Sequence, residues 1–128
     1  MNLILASTSP YRRRRLERLR LPFTCIDPAV EESILDGESP QARACRLATE
    51  KALSVAETLR DGAIVIGSDQ VACLGPLILH KPGTPEAAIA QLTASSGQTV
   101  QFWTAVSLWT SPGEPPTVGL TCTEVTCA

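Results

Sequence analysis

AIVIGSDQVACL, residues 63–74, combines an apolar run with a polar interruption. The run Ala63–Ile66 is continuous and rich in β-branched residues, which is typical of a strand that is covered on both faces. We expect the polar residues Gly67–Gln70 to end that strand before a second apolar stretch, Val71–Leu74. The interruption therefore predicts polar chemistry at the end of a buried strand.

Strand and helix signals alternate along the chain before this stretch. Leu3–Ala6 predicts a short strand, and Ser7–Pro10 then supplies hydroxyl caps with a proline at the first helical position. We expect the helix to run to about residue 19, with Leu16 and Leu19 spaced to face a core. Phe23–Ile26 predicts a second strand, which is followed by an acidic loop.

Two further helices are predicted. Ser39-Pro40 supplies the cap and the first-turn proline of one of them, which residues 60–62 would stop. The apolar residues that recur at helical spacing in it are Ala44, Leu47, Ala48, Ala52, Val55, Ala56 and Leu59. Thr84-Pro85 opens the last helix, which covers Glu86–Leu92 and is closed by Ser-Ser-Gly at 95–97.

A hairpin is predicted after the last helix. Residues 99–110 are rich in Val, Phe, Trp and Thr, and a proline-rich turn at 112–116 leads to a last strand over Val118–Val125. We therefore expect one α/β domain over residues 1–128, with a mixed sheet and flanking helices. The last strand would leave an uncovered edge, which a complete domain usually avoids. This favours the N-terminal part of a larger fold.

The composition allows one packed domain, because 44% of the 128 residues are hydrophobic. A net charge of −2 argues against nucleic-acid and membrane partners, since both are polyanionic and attract basic surfaces. The chain has no apolar run of about 20 residues and no signal-peptide pattern, so we expect a cytoplasmic protein. The five cysteines have no Cys-x-x-Cys spacing, which disfavours disulfides and a zinc site.

Four arginines, Arg12–Arg15, stand near the start of the predicted first helix. Cations there are unfavourable by about 0.3 to 1 kcal/mol each, so a negatively charged group is expected nearby. A phosphate would satisfy the free amides, the hydroxyls of Ser7 and Ser9 and the guanidinium groups together. Two alternatives stay open: a solvated basic face that pairs with Glu17 and the acidic loop, and a nucleic-acid patch, although interleaved aromatic residues are missing.

Asp69 follows the buried run of residues 63–66 closely. A carboxylate there is costly to desolvate, which is tolerated when it meets a metal, a cation or a substrate proton. Ligands of open α/β sheets bind at the carboxyl ends of strands. We therefore expect the first strand and the Ile64 strand to lie side by side, with Arg12 facing Asp69. A turn aspartate that bonds its own backbone is the alternative.

Further charged residues extend the candidate site. Glu31 and Glu32 lie in the acidic loop, and Lys51 and Lys81 are the only lysines in the sequence. Either lysine taken alone is explained by a position on the solvent-exposed surface. Taken together, however, carboxylates that could bind Mg²⁺ and several cations that could bind a polyphosphate form a set consistent with one site. His80 has no partner at metal-binding spacing and is predicted to be a loop residue.

Six ordered segments resemble the Maf family of nucleotide pyrophosphatases. They are Leu-Ala-Ser-Thr-Ser-Pro-Tyr-Arg-Arg at 5–13, Val-Glu-Glu at 30–32, Ala-Thr-Glu-Lys-Ala at 48–52, Ile-Gly-Ser-Asp-Gln at 66–70, Lys-Pro at 81–82 and Ser-Gly at 96–97. The resemblance implies a Maf and ITPase-like fold whose second lobe is largely missing from these 128 residues. It also implies hydrolysis between the α- and β-phosphates of a non-standard or modified nucleoside triphosphate, with a divalent cation, Mg²⁺ or Mn²⁺.

The resemblance also assigns roles to residues of this chain. Asp69 matches the family's proton acceptor, which would deprotonate the attacking water, and Glu32 together with Asp69 would hold the metal. The residues that would bind the phosphates are Ser7, Ser9, Arg12, Arg13, Lys51 and Lys81.

Tyr11 and Gln70 bear on the identity of the substrate. The family's UTP and dTTP branch usually carries Arg and Thr at these positions, whereas the branch that acts on 7-methyl-GTP has an aromatic residue and Gln. An aromatic face beside a positively charged methylated purine gives stacking and a cation–π contact, which favours 7-methyl-GTP. A UTP and dTTP activity and a non-catalytic nucleotide-binding fragment stay open as alternatives. A homodimer formed through the exposed edge also stays open.

Overall fold

The computed structural model describes residues 2–59, 62–111 and 115–127. Its elements are β1 (Asn2–Ala6), α1 (Pro10–Glu17), β2 (Thr24–Ile26), α2 (Pro40–Ala56), β3 (Ala63–Leu74), β4 (Leu77–Leu79), α3 (Pro85–Ser95), β5 (Thr99–Ser111) and β6 (Thr117–Thr126). Within those three ranges, the helices are too short or too polar to cross a bilayer.

One six-stranded sheet organises the chain in the order β2-β1-β3-β5-β6, and β4 pairs with part of β3. β1 runs parallel to β2 and β3, whereas β4 and β5 run antiparallel to β3, and β6 runs antiparallel to β5. Leu5 lies opposite Ile66 across the β1–β3 pair. The predicted α/β class with a mixed sheet is therefore confirmed, as is the neighbouring position of the first strand and the Ile64 strand.

β3 differs from its prediction, because the polar residues 67–70 do not end it. The strand continues to Leu74, and Gly67–Gln70 pair antiparallel with residues 104–107 of β5. Side chains alternate between the two faces of a strand, and the odd-numbered ones are buried here. Backbone pairing with β5 thus outweighs the turn tendency of Gly-Ser-Asp, and Asp69 lies inside the strand rather than at its end.

α2 packs on one face of the sheet and supplies much of the core. The Ser39 hydroxyl accepts a hydrogen bond from the Ala42 amide at 3.1 Å, as the predicted cap requires. The predicted apolar stripe is buried at Ala44, Leu47, Ala48, Ala52, Val55 and Ala56. It packs against residues of β1, β3 and β5, among them Ile4, Val65, Val71 and Ala105. Arg60 and Asp61 of the predicted stop lie outside the described residues.

α1 is more exposed than its prediction. The helix ends at Glu17 and buries none of its residues, and Leu19, which the spacing placed on the core side, is 60% exposed. Four consecutive arginines leave the helix too little apolar surface for a buried stripe. β4 is a second difference, since no strand is predicted for its three residues. It folds back on β3 after a turn in which Gly75 adopts a φ of 55°.

The C-terminal elements follow their predictions closely. Thr84 caps α3, and Gly97 adopts a φ of 70° just after the helix. β5 and β6 form the predicted hairpin, although residues 112–114 of its turn lie outside the described part of the chain. All ten residues of β6 are exposed, so the expected uncovered edge is present.

Candidate active site

The parallel part of the sheet has a gap beside β3 where β1 stops. β1 pairs with β3 as far as Leu5 opposite Ile66, and β4 joins the same edge only at Ala72. Among the described strands, none pairs with that edge of β3 between these two points. Open sheets bind ligands beyond the carboxyl end of a parallel strand, where the chain leaves the sheet. Asp69 lies within this gap.

A single ammonium group lies between two carboxylates at the gap. Lys51 Nζ is 2.9 Å from Asp69 Oδ1 and 3.0 Å from Glu32 Oε1. Asp69 and Lys51 are 6% and 9% exposed, whereas the Glu32 side chain is half-exposed. Buried charges are costly to desolvate and concentrate at functional sites. The cluster therefore marks the gap as the candidate site.

This geometry corrects two of the simpler interpretations. Lys51 is not a surface lysine, because it lies on the buried face of α2. The turn-aspartate alternative for Asp69 is wrong, since the residue pairs with Ala105 inside β3 and its carboxylate bonds Lys51.

Positive charges around Glu32 keep its carboxylate ionised. The pKa of Glu32 lies below its ordinary value of 4.5, first because its carboxylate accepts a hydrogen bond from Lys51. Partial burial opposes this effect, and the positive charges of Lys51, Lys81 and Arg43 add to it. These three positive charges favour the ionised form of the Glu32 carboxylate.

The end of β1 leads directly into the cap of α1. The Ser9 hydroxyl accepts a hydrogen bond from the Arg12 amide at 3.3 Å, and the Ser7 hydroxyl accepts one from the Ser9 amide at 3.0 Å. Ser7 is 5% exposed. Because β1 is the parallel neighbour of β3 and ends at Ala6, the backbone that carries both serines leaves the sheet next to the gap.

The side chains of α1 are arranged around a largely exposed helix. Arg13 pairs with Glu17 at 3.4 Å, which agrees with the alternative of a solvated basic face. Arg15 donates a hydrogen bond to the Tyr11 hydroxyl at 2.9 Å and lies 5.5 Å from the ring centre. Arg12 is partly buried beside the cap. Among the described residues, no hydrogen bond or ion pair joins these side chains to the Lys51 cluster.

The side chain of Gln70 lies on the face of β3 opposite to the side chain of Asp69. Its side-chain amide donates a hydrogen bond to Thr104 Oγ1 at 2.9 Å, and it lines a cavity of about 510 Å³ under α3 together with Lys81 and Phe102. That volume lies in the range of small-molecule sites. Lys81 lines this cavity, and its positive charge also lowers the pKa of Glu32. His80, another lining residue, is in a loop as predicted.

Three residues of this region were not predicted from the sequence. Thr104 holds Gln70, and both Arg43 and Arg46 donate hydrogen bonds to the Ser33 carbonyl oxygen at 2.9 Å. Helical spacing placed the two arginines on α2, but their contact with the segment that carries Glu32 crosses ten or more positions. No local pattern in the sequence indicates such a contact.

A family model described as Maf-like protein matches residues 2–128. The chain belongs to the Maf family. This Maf chain is 61% identical over 106 residues to a 7-methyl-GTP pyrophosphatase of Xanthomonas axonopodis pv. citri, and 52% identical over 108 residues to one of Pseudoalteromonas atlantica. These matches cover 83% and 84% of the chain and 55% of each relative. The chain thus spans about half the length of the curated relatives it matches.

Solved structures share the fold of this Maf chain. A nucleoside-triphosphatase, or dITP/XTP pyrophosphatase, from Mycobacterium abscessus superposes with a TM-score of 0.59 at 19% identity, covering 98% of this chain and 74% of that one. The Ham1 protein of Staphylococcus aureus gives a TM-score of 0.60 at 14% identity, covering 100% and 72%. The predicted Maf and ITPase-like fold is therefore confirmed.

Proposed function

We propose that this Maf chain carries a site that hydrolyses a nucleoside triphosphate to the monophosphate and pyrophosphate, and that its substrate is 7-methyl-GTP. The observation that carries the proposal is the Lys51 ammonium group between Asp69 and Glu32, in the gap where β1 ends. The names of the relatives support the substrate, since both act on 7-methyl-GTP.

Asp69 is the base of the proposed reaction. Its buried carboxylate is held in one direction by Lys51, as an oriented base requires. The carboxylate accepts a proton from water, and the water oxygen forms a bond to the α-phosphorus. The bond from that phosphorus to the bridging oxygen breaks, and pyrophosphate leaves with the bridging oxygen and the electron pair.

The cations and hydroxyls around the gap hold the phosphates in this proposal. Lys51 and Lys81 neutralise the charge that gathers on the departing pyrophosphate, which is a main source of rate enhancement in phosphoryl transfer. The remaining phosphate contacts come from Ser7, Ser9, Arg12 and Arg13. The positive charges of Lys51 and Lys81, which both lower the pKa of Glu32, support this assignment.

The donor set fits a divalent cation. Mg²⁺ prefers oxygen ligands and is commonly held by one or two carboxylates together with substrate phosphates. Glu32 and Asp69 supply two carboxylates, one on each side of the Lys51 ammonium group, although the described residues contain no cluster of three or more His, Cys, Asp or Glu side chains. These two residues would hold Mg²⁺ or Mn²⁺ jointly with the phosphates. The bound cation would neutralise phosphate charge and polarise a phosphoryl oxygen.

Tyr11 and Gln70 support a methylated purine as the base. Tyr11 is 59% exposed at the start of α1, so its ring is accessible for stacking on a cationic base. The Gln70 amide nitrogen is engaged with Thr104, which leaves its carbonyl oxygen to accept a hydrogen bond from guanine N–H groups. A pyrimidine nucleotide has no comparable cationic ring.

The proposal extends to the organisation and location of the protein. We propose that residues 1–128 form a single Maf-like domain that is the N-terminal part of the family fold, and that the reaction takes place in the cytoplasm. A net charge of −2 argues against nucleic acid and against a membrane surface as the partner.

Pyrophosphate release from 7-methyl-GTP in the presence of Mg²⁺ tests the proposal. We expect turnover by the 128-residue chain, and a loss of about 100-fold or more in Asp69→Asn, because the proton acceptor is removed. Asp36→Asn changes an exposed loop aspartate in the same way and serves as the matched control. Equal rates for the wild type and Asp69→Asn would exclude Asp69 as the base. Calorimetric binding without turnover would instead favour a non-catalytic nucleotide-binding role.

A further inference from the structure

Glu32 lies in a long segment without helix or strand, between the end of β2 and the start of α2. Such segments are usually mobile unless specific contacts hold them. The Glu32 side chain is half-exposed, yet its carboxylate meets Lys51 at 3.0 Å. The contact between Glu32 and Lys51 is therefore only partly shielded from solvent. Its geometry depends on the contacts that hold the backbone near Glu32.

Two guanidinium groups of α2 hold this backbone. Arg43 Nη1 and Arg46 Nη2 each donate a hydrogen bond to the carbonyl oxygen of Ser33, both at 2.9 Å. A carbonyl oxygen has two lone pairs, so both of its acceptor positions are used. Ser33 is the residue that follows Glu32, and Arg43 is 7% exposed. The peptide group between Ser33 and Ile34, one residue beyond Glu32, is thus attached to the helix by two donors.

Arg46 also attaches a second point of the segment. Its Nε and Nη2 bond the two carboxylate oxygens of Glu38 at 2.6 Å and 2.9 Å, and its Nη1 meets Glu50 at 3.2 Å. The Glu38 side chain is only 10% exposed. A bidentate guanidinium–carboxylate pair is directional as well as strong, and a lysine cannot reproduce it. Arg46 therefore ties two points of the segment to α2 with one planar group.

We propose that Arg43 and Arg46 are positioning residues that set Glu32 beside Asp69. Both arginines and Lys51 belong to α2, so one rigid helix holds the backbone of the segment and also the ammonium group that its carboxylate meets. The inference rests on the proposed function in one respect, which is that Glu32 takes part in turnover. Neither arginine needs to touch the nucleotide.

Arg46→Lys tests the inference, because it keeps the charge and removes the fork. We expect amide hydrogen exchange in residues 27–39 to accelerate about tenfold, since several hydrogen bonds to charged groups are lost, while exchange in β3 stays unchanged. Arg43→Lys should act in the same direction. Arg18→Lys, an exposed position at the end of α1, is the matched control and should leave exchange in the segment as it is.

A double-mutant cycle separates positioning of Glu32 from a general structural role. We expect Arg46→Lys to lower kcat for 7-methyl-GTP several-fold with Glu32 present and to have no further effect in the Glu32→Gln background. Unchanged exchange in residues 27–39 overturns the inference, as do equal losses of kcat in both backgrounds. Absence of turnover in the wild type would refute the proposed function, and hydrogen exchange would still decide whether the arginines hold the segment.

Discussion

Gly67 is the point at which α2 comes closest to β3. A Cβ atom added there would lie 2.1 Å from the Ala48 carbonyl oxygen and 2.7 Å from the Ala52 amide nitrogen. Both atoms belong to the helix backbone, which cannot rotate away as a side chain can. We therefore predict that Gly67→Ala pushes α2 off the sheet.

The magnitude follows from these distances. Real Cβ atoms essentially never approach a neighbour closer than 3.0 Å, so the helix must move by roughly 1 Å, and overpacking of this kind costs about 1 to 3 kcal/mol. α2 carries Lys51 and β3 carries Asp69, so the same shift separates a contact that now measures 2.9 Å. A misplacement of about 1 Å in a catalytic group can cost about 100-fold in rate.

Urea unfolding of the 128-residue chain and pyrophosphate release from 7-methyl-GTP measure the two effects. Gly119→Ala is the matched control, because Gly119 also lies in a strand and nothing stands within 4 Å of its added Cβ. We expect this control to change the free energy of unfolding by less than about 0.5 kcal/mol. If Gly67→Ala unfolded at the same urea concentration as the wild type, the close approach of α2 to β3 would be disproved.

Three further predictions concern charges and thiols. Lys51→Met should lower the free energy of unfolding by about 3 kcal/mol in urea titrations, because it leaves a buried carboxylate unpaired; a loss below about 1 kcal/mol would contradict the buried ion pair. The pKa of Glu38 is held below 4.5 by its hydrogen bonds from Arg46, so the stability they contribute is present above that pH and lost as the carboxylate protonates below it. The free-energy difference between wild type and Glu38→Gln should therefore shrink in acid, and a constant difference from pH 7 to pH 3 would argue against the pair. Ellman's reagent should modify exposed Cys122 well before Cys73, whose pKa is raised by burial, and equal rates would show that Cys73 is accessible.

Helix starts were the most predictable feature of the fold, because their signals are local. Ser9, Ser39 and Thr84 each precede a proline, and each accepts a hydrogen bond from the backbone amide three residues later. The buried stripe of α2 was equally readable from its spacing. The exposure of α1 was not predictable in this way. The spacing of Leu16 and Leu19 does not show how little apolar surface the neighbouring arginines leave on the helix.

The candidate site was predictable in its residue types and only partly in its arrangement. Asp69 and Glu32 stood out as carboxylates, and β1 lies beside β3 as the sequence indicated, but Asp69 lies inside β3 and not at its end. The position of Lys51 between them could not be read, because Glu32 and Asp69 reach it from segments far apart in the chain. The hydrogen bonds from α2 to Ser33 could not be predicted from the sequence for the same reason.

The sequence by itself determined the α/β class and the starts of the helices, and it supplied the residues proposed for phosphate binding, since caps, periodicity and charge are properties of neighbouring positions. Only the tertiary structure decided that residues 67–70 continue a strand, because their backbone groups pair with β5. It also decided that Gly67 must lack a side chain and that Lys51 is buried between two acids. Both outcomes depend on how closely α2 packs on β3, and that distance is set by the whole core at once.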